Sequence, residues 1–240
     1  MFSAEAKRLT AAVLLSLAFA VPVAAADRSR AEIETAIAVA ASAGRPVELT
    51  DLDLSGLDLS GLDLRRADLF ATRLAGAKLV GARLGEANLT RVDLHEANLA
   101  GADLSGAILY AAILDDADFS GADLTRARII GGGRGARFVK AKLIEADLGA
   151  DPANQGMVPV RADLTAAIFD GADLTGANLT HAVLASARFA GASLRNARLD
   201  HAKLGDADLS GADVAGASFH GADLDGARLP PAAPILERGR

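Results

Sequence analysis

The chain has no cysteine and no tryptophan. The first absence removes disulfides and thiolate metal ligands. The second, together with a single tyrosine and only 4% aromatic residues, excludes a globule packed around large rings. Cationic excess is missing too: 25 Lys and Arg face 31 Asp and Glu, a net charge of −6. A general nucleic-acid or anionic-membrane binder is therefore not expected. No Walker loop, G-x-S-x-G, H-E-x-x-H or G-x-G-x-x-G is found, and "GGGRG" at 131–135 lacks both a Lys-Ser ending and a helix to open. Half of the chain is apolar all the same, at 51%. Alanine and leucine supply that mass, which points to a narrow, repetitive core.

The first 26 residues have the pattern of a secretory signal. Lys7 and Arg8 precede an apolar stretch from Leu9 to Val21, and Ala24-Ala25-Ala26 offers a cleavage site before Asp27. The stretch is short for a membrane span, so no stable membrane insertion is expected after cleavage. Export to a bacterial periplasm or the cell exterior is the expected localisation. Loss of 1–26 removes a net +1 and leaves −7.

Residues 27–45 are expected to form a capping helix. Ser29 and Glu32 make an S-x-x-E capping box, Ile33, Ile37 and Ala40 share a face, and Gly44 can end the helix. Arg45-Pro46 then starts an extended segment.

From 46 to 230 the period changes to five. Large apolar residues recur at every fifth position from Leu54 to Ile129, again at Phe138, Leu143 and Leu148, and again from Leu164 to Leu229. A small residue, usually Ala, stands two before most of these centres. Two apart is the same side of an extended chain, and three apart is the opposite side. The chain must therefore bend once per unit to keep both residues inside, and four bends close a coil of twenty residues. The residues before each centre support that length. Eight pairs twenty apart, such as Asp53/Arg73, Asp63/Arg83 and Asp208/Arg228, are of opposite charge, against the single like pair Asp103/Asp123.

"ANLAGADLSGA", "ADLTGANL" and "ADLSGADV" resemble the A(D/N)LXX units of pentapeptide-repeat proteins. The resemblance covers about 45 to 230 and implies an all-β solenoid, a right-handed quadrilateral β-helix. About eight coils would give a rod roughly 40 Å long. "LDLSGLDLSGLDL", with Leu52, Leu57 and Leu62 in the alanine slot, resembles a family N-terminal start in which larger side chains widen the first coil. The family includes inhibitors of type II topoisomerases that mimic DNA with an acidic rod.

Two interruptions break the pattern, at 131–137 and 149–161. The second reads as a surface or recognition loop stiffened by Pro152 and Pro159. Beside it, Ile108, Tyr110, Ile113 and Ile130 occupy outward positions, which makes them interaction candidates or the seat of the loop. His181 lies one coil from His201 and Asp200 one coil from His220, so these four are candidate ligands for a divalent metal such as zinc. No cofactor is expected.

The chain thus reads as an exported, non-catalytic scaffold for an unidentified protein partner, itself a monomer or weak dimer, with a short tail at 231–240. The alternative is a DNA-mimic topoisomerase inhibitor.

Overall fold

The computed structural model describes residues 27–150 and 160–231. The expected signal segment 1–26, residues 151–159 with Pro152 and Pro159, and the tail from 232 lie outside the described residues.

Helix α1 spans Arg30–Ser42, with Ser29 as N-cap and the reciprocal Ser29/Glu32 capping box in place. Two of the four otherwise unpaired amides of a helix start are thereby satisfied. Ile33 and Ala40 are buried and Ile37 is partly so, which places the expected face of α1 on the core. Arg30 fixes the helix to the first coil by donating to the carbonyls of Asp58 (2.8 Å) and Ser60 (3.2 Å). Leu62 is buried in the same cluster, and Leu52 and Leu57 are packed against it.

Beyond the helix the backbone runs as short parallel bridges separated by turns. Four ladders begin with Glu48↔Asp68, Asp53↔Arg73, Asp58↔Lys78 and Asp63↔Arg83, each joining residues twenty apart. The expected coil of four units is therefore the observed one. Each rung uses the backbone in both directions: Leu54 N–H donates to the Arg73 carbonyl and Arg73 N–H to the Leu52 carbonyl, both at 2.8 Å. Within a unit, Leu57 N–H closes a turn on the Leu54 carbonyl. The third residue of that turn is left-handed, at φ 69° in Gly56 and φ 58° in Asp51, the signature of a type II turn. Centres and small residues alike point inward, and nearly all of them from Leu54 to Leu209 are fully buried.

Only two stretches among the described residues are continuous strands, and they pair in parallel: β1, Ile108–Ile113, with β2, Arg128–Gly132. The first interruption begins here. Ala111 is bulged out, since Tyr110 pairs with Ile130 but Ala112 with Gly131. The following rungs consequently join residues nineteen apart, as in Asp118↔Arg137. Gly131 is required at this point, because a Cβ there would lie 2.2 Å from the Ala112 carbonyl oxygen. Gly133 occupies a centre that has no side chain. A Cβ there would lie 2.9 Å from Leu164 and 3.4 Å from Leu114, the centres on either side. The second interruption lengthens one coil, so its rungs join residues thirty-one apart, as in Lys142↔Asp173, before twenty returns at Asp163↔Val183.

A column of phenylalanines crosses both interruptions. Phe119, Phe138, Phe169 and Phe189 stack in turn with ring centroids 4.9–5.0 Å apart and planes within 5° of parallel. Four large rings aligned at one rung spacing hold the core in register where the backbone count changes. At the far end burial fades: Leu224 is only partly buried and Leu229 is 37% exposed.

Leu104 is fully buried among leucine centres, and such a side chain contributes about 1.5–3 kcal/mol. Leu104→Asp adds an unpaired buried charge to that loss. Its thermal unfolding is expected to lose its cooperative transition, whereas an unchanged melting curve would contradict the buried-centre assignment.

Candidate functional site

The carboxylates and amides before the centres are committed to the backbone. Asp53 Oδ1 accepts from Ser55 N–H at 3.0 Å, Asn88 from Thr90, Asp103 from Ser105, Asp123 from Thr125 and Asp208 from Ser210. Each closes an Asx turn across the bend, a job for which Asp and Asn are suited. The sequence pattern alone shows only a solvated polar column. One oxygen of each of these carboxylates and amides is thereby tied to a turn amide.

The histidine corner has the expected neighbours. His181 and His201 stack with centroids 4.9 Å apart and planes 11° from parallel, and His220 meets His201 edge-on at 5.7 Å. Both stacked residues occupy the left-handed turn position, at φ 63° and 57°. Their place is thus set by the turn, where histidine is among the tolerated residues. Asp200 does lie beneath His220, but it is occupied. It accepts from the Ser218 hydroxyl and from the His220 amide at 3.0 Å, and Arg198 stands 3.9 Å away. Burial pushes the Asp200 carboxyl up, while the Ser218 and His220 hydrogen bonds outweigh it and hold it below its ordinary value. Among the described residues no three histidine or carboxylate side chains are placed to hold a metal ion. His181, Asp200, His201 and His220 are thus a column of neighbours in which Asp200 is already engaged by Ser218 and the His220 amide.

The apolar candidates divide. Ile108 and Ile113 are exposed, at 42% and 47%, and Tyr110 is half-buried. Ile130 corrects the expectation of an outward residue: it pairs with Tyr110 as the register requires, yet it is fully buried. It also stands apart from the continuous core cluster. The spacing gave no sign of two arginine–ring contacts on this side. Arg91 lies over Phe70 at 5.9 Å and Arg128 over Tyr110 at 5.1 Å.

Three of the eight expected opposite pairs close as ion pairs: Arg73–Asp53 at 2.8 Å, Arg83–Asp63 at 3.3 Å and Arg228–Asp208 at 3.1 Å. Arg188 turns instead to Asp170 at 2.6 Å. Two clefts flank α1, and neither is lined by a histidine. No described helix is long and apolar enough to cross a membrane.

The pentapeptide repeat model matches residues 48–85, 87–126, 160–196 and 192–229 in eight copies, so the chain belongs to the pentapeptide-repeat family. Members of this family fold as right-handed quadrilateral β-helices. Among solved structures, the chain is similar to HetL, a pentapeptide repeat protein involved in heterocyst differentiation regulation in the cyanobacterium Nostoc sp. strain PCC 7120. Identity is 32% over 82% of this chain and 97% of that one, with a TM-score of 0.45. QnrB1, a plasmid-mediated fluoroquinolone resistance protein, is 16% identical over 74% of this chain and 90% of its own, at a TM-score of 0.34. A pentapeptide repeat protein of the Arabidopsis thaliana thylakoid lumen is 29% identical over 55% and 68% of the two chains, at 0.23. No curated protein matches the sequence, and no catalytic family is indicated.

Asp53 is the most perturbed carboxylate of the column. The Arg73 hydrogen bond, aided by Ser55, lowers its pKa to about 2. A depressed carboxylate stabilises the fold above the ordinary range near 4, and that contribution is lost as pH falls toward the folded value. A carboxyl-detected NMR titration is expected to place Asp53 near 2, and higher in Arg73→Ala. A titration at the ordinary value in both proteins would contradict the pair.

Proposed function

We propose that this chain is an exported, non-catalytic scaffold, a right-handed quadrilateral β-helix behind a short N-terminal helix, that binds a protein partner through its outer faces or the 149–161 segment. The observation that carries the reading is the commitment of the polar columns. Their carboxylates accept turn amides and pair with arginines one coil away, so the surface is built to hold a shape and not to perform acid/base chemistry. Rigid repeat stacks of this kind use extended faces for binding.

Export is the reading of the pattern in residues 1–26, and the described chain begins at the expected cleavage point. Asp27, the residue after the expected cleavage site, is tied into the first coil from both sides. Its N–H donates to the Asp53 carbonyl at 2.7 Å and its carboxylate accepts from Asp53 N–H at 2.6 Å. Cleavage after Ala26 would turn the Asp27 N–H into an α-ammonium, which can still donate to the Asp53 carbonyl, and would leave the Asp27 carboxylate contact unchanged. The rival, a DNA-mimic topoisomerase inhibitor, calls for a uniformly acidic surface. Arg73, Arg83, Arg188 and Arg228 interrupt the acidic columns, and an exported chain does not meet DNA.

Cell fractionation with N-terminal sequencing tests the reading. The expected product begins at Asp27 and lies outside the cytoplasm. An uncleaved cytoplasmic chain that inhibits supercoiling would favour the rival.

A further inference from the structure

Charge along this chain comes in blocks. Residues 92–125 carry seven carboxylates and no lysine or arginine, and residues 126–144 carry six of those cations and no carboxylate. With about twenty residues to a coil, an acidic stretch of the rod lies directly beneath a basic coil. Four of the six cations are already paired. Arg126 meets Glu145, Arg128 meets Asp147 and Arg134 meets Asp163 at 3.7–3.9 Å, and Lys142 meets Asp123 at 3.6 Å. Arg137 and Lys140 are exposed and have no ion pair among the described residues.

Arg137 stands on one wall of the coil and Lys140 on a bend that borders it. The outward column of this wall climbs from Asp58 to Arg228 through eight successive rungs. The bulge at Ala111 and the second interruption both fall at the bend before the column of Ile113 and Asp163, which does not border this wall. Along the wall, Asp58 pairs with Arg30, Arg188 with Asp170 and Asp208 with Arg228, at 3.6, 2.6 and 3.1 Å. Asn98 and Ile168 are uncharged. Lys78, Asp118 and Arg137 are left without an ion pair among the described residues. On the other bordering bend Asp115 and Asp116 lie one coil below Arg134, whose N–H donates to Asp115 at 2.7 Å and whose carbonyl accepts from Asp116 N–H at 2.9 Å. The wall therefore has an acidic rung directly under a basic one, Asp118 under Arg137. Its bends are lined by short residues such as Ala100, Ser120 and Ala190, so another surface can approach closely.

We propose that this wall is a self-complementary interface on which a second copy of the chain lies antiparallel. A two-fold axis crossing the wall between the rungs of Asp118 and Arg137 sets each Asp118 against the other copy's Arg137. The same axis sets each Asp115–Asp116 bend against the other copy's Arg134. Lys140, opposite the bend at Gly121, reaches the same Asp118. Farther out, Asn98 meets Ile168, and Lys78 meets an Arg188 whose charge Asp170 balances. A parallel pairing would instead set Asp118 on Asp118 and Arg137 on Arg137, and like charges in contact are costly. Eight rungs are about 40 Å long, and a side of five residues is at most about 16 Å wide. The contact is then roughly 600 Å² per copy, about 1,200 Å² in all, at the lower limit of a specific interface. The product is a weak dimer that loosens as salt is raised. The walls flanking the second interruption stay uncovered in both copies, so the pairing goes beyond the scaffold reading without competing with it.

Two charge variants of the full chain test the pairing by sedimentation equilibrium. Arg137→Glu with Lys140→Glu makes both rungs of the patch acidic. Asp116→Lys with Asp118→Asn makes the patch basic, and asparagine keeps the turn contact as Asn98 does one coil below. Neither variant alters a core side chain, and melting curves establish that both are folded. Each alone is expected to associate at least about tenfold more weakly than the unaltered chain. An equimolar mixture of the two is expected to form a one-to-one pair, because the acidic patch of one then meets the basic patch of the other. An unaltered chain that stays monomeric to about 1 mM, variants that associate as strongly as it does, or a mixture that remains monomeric would each overturn the interface.

Discussion

The hydrogen bond from each unit to its counterpart one coil later is the interaction on which the rest of this structure depends. Buried backbone groups must be paired, and here the partner is nearly always a residue a full coil away. Leu104 N–H meets the Asp123 carbonyl at 2.7 Å, and Asp123 N–H in turn meets the Ala102 carbonyl at 2.9 Å. A chain can satisfy that requirement only by returning to the same place every four units. The bend in each unit follows, and with it the left-handed residue that makes the bend. Many of those positions are glycine, but Arg91, His181 and His201 show that other residues are held there as well. A non-glycine residue in this region costs about 1–3 kcal/mol, which the rungs and the buried core on either side must outweigh.

The same constraint shapes the surface. Each bend leaves an amide two residues beyond the polar column, and Asp or Asn accepts from it. Polar groups that elsewhere might converge into a site are thereby spread evenly around the coil and used where they stand. What distinguishes one part of the exterior from another is then the departure from the repeat. Ile108, Tyr110 and Ile113 put large apolar side chains in slots that mostly hold polar or small residues. Arg91 and Arg128 lean over rings. The bulge at Ala111 shifts the register beside them.

Much of the architecture was legible in the sequence because its determinants are side chains at fixed spacing. Leu at each centre, Ala two before it, and the charge alternation of Asp53 with Arg73 all report the coil length directly. The capping box at Ser29 and Glu32 is equally local. Three features escaped for identifiable reasons. Gly133 is a centre, but without a side chain it cannot be counted as one. Ile130 holds an outward slot, yet its burial depends on packing that the period does not encode. The phenylalanine column is hidden because Phe119, Phe138, Phe169 and Phe189 are separated by nineteen, thirty-one and twenty residues, and only the observed register makes these equal. The histidine corner shows the opposite case. His181 and His201 are neighbours as the spacing requires, but the spacing did not show that Asp200 is engaged by Ser218 and the His220 amide.

The register across the second interruption is the hardest consequence of the coil and the most direct test of it. With no native cysteine, a disulfide between introduced residues reports which positions face each other. Lys142 and Asp173 are bridged, within the Cα separation that a disulfide spans. The double variant Lys142→Cys with Asp173→Cys is predicted to cross-link intramolecularly under mild oxidation, and Lys142→Cys with Asp163→Cys is predicted not to. Cross-linking of the second pair and not the first would contradict the stacked-coil account.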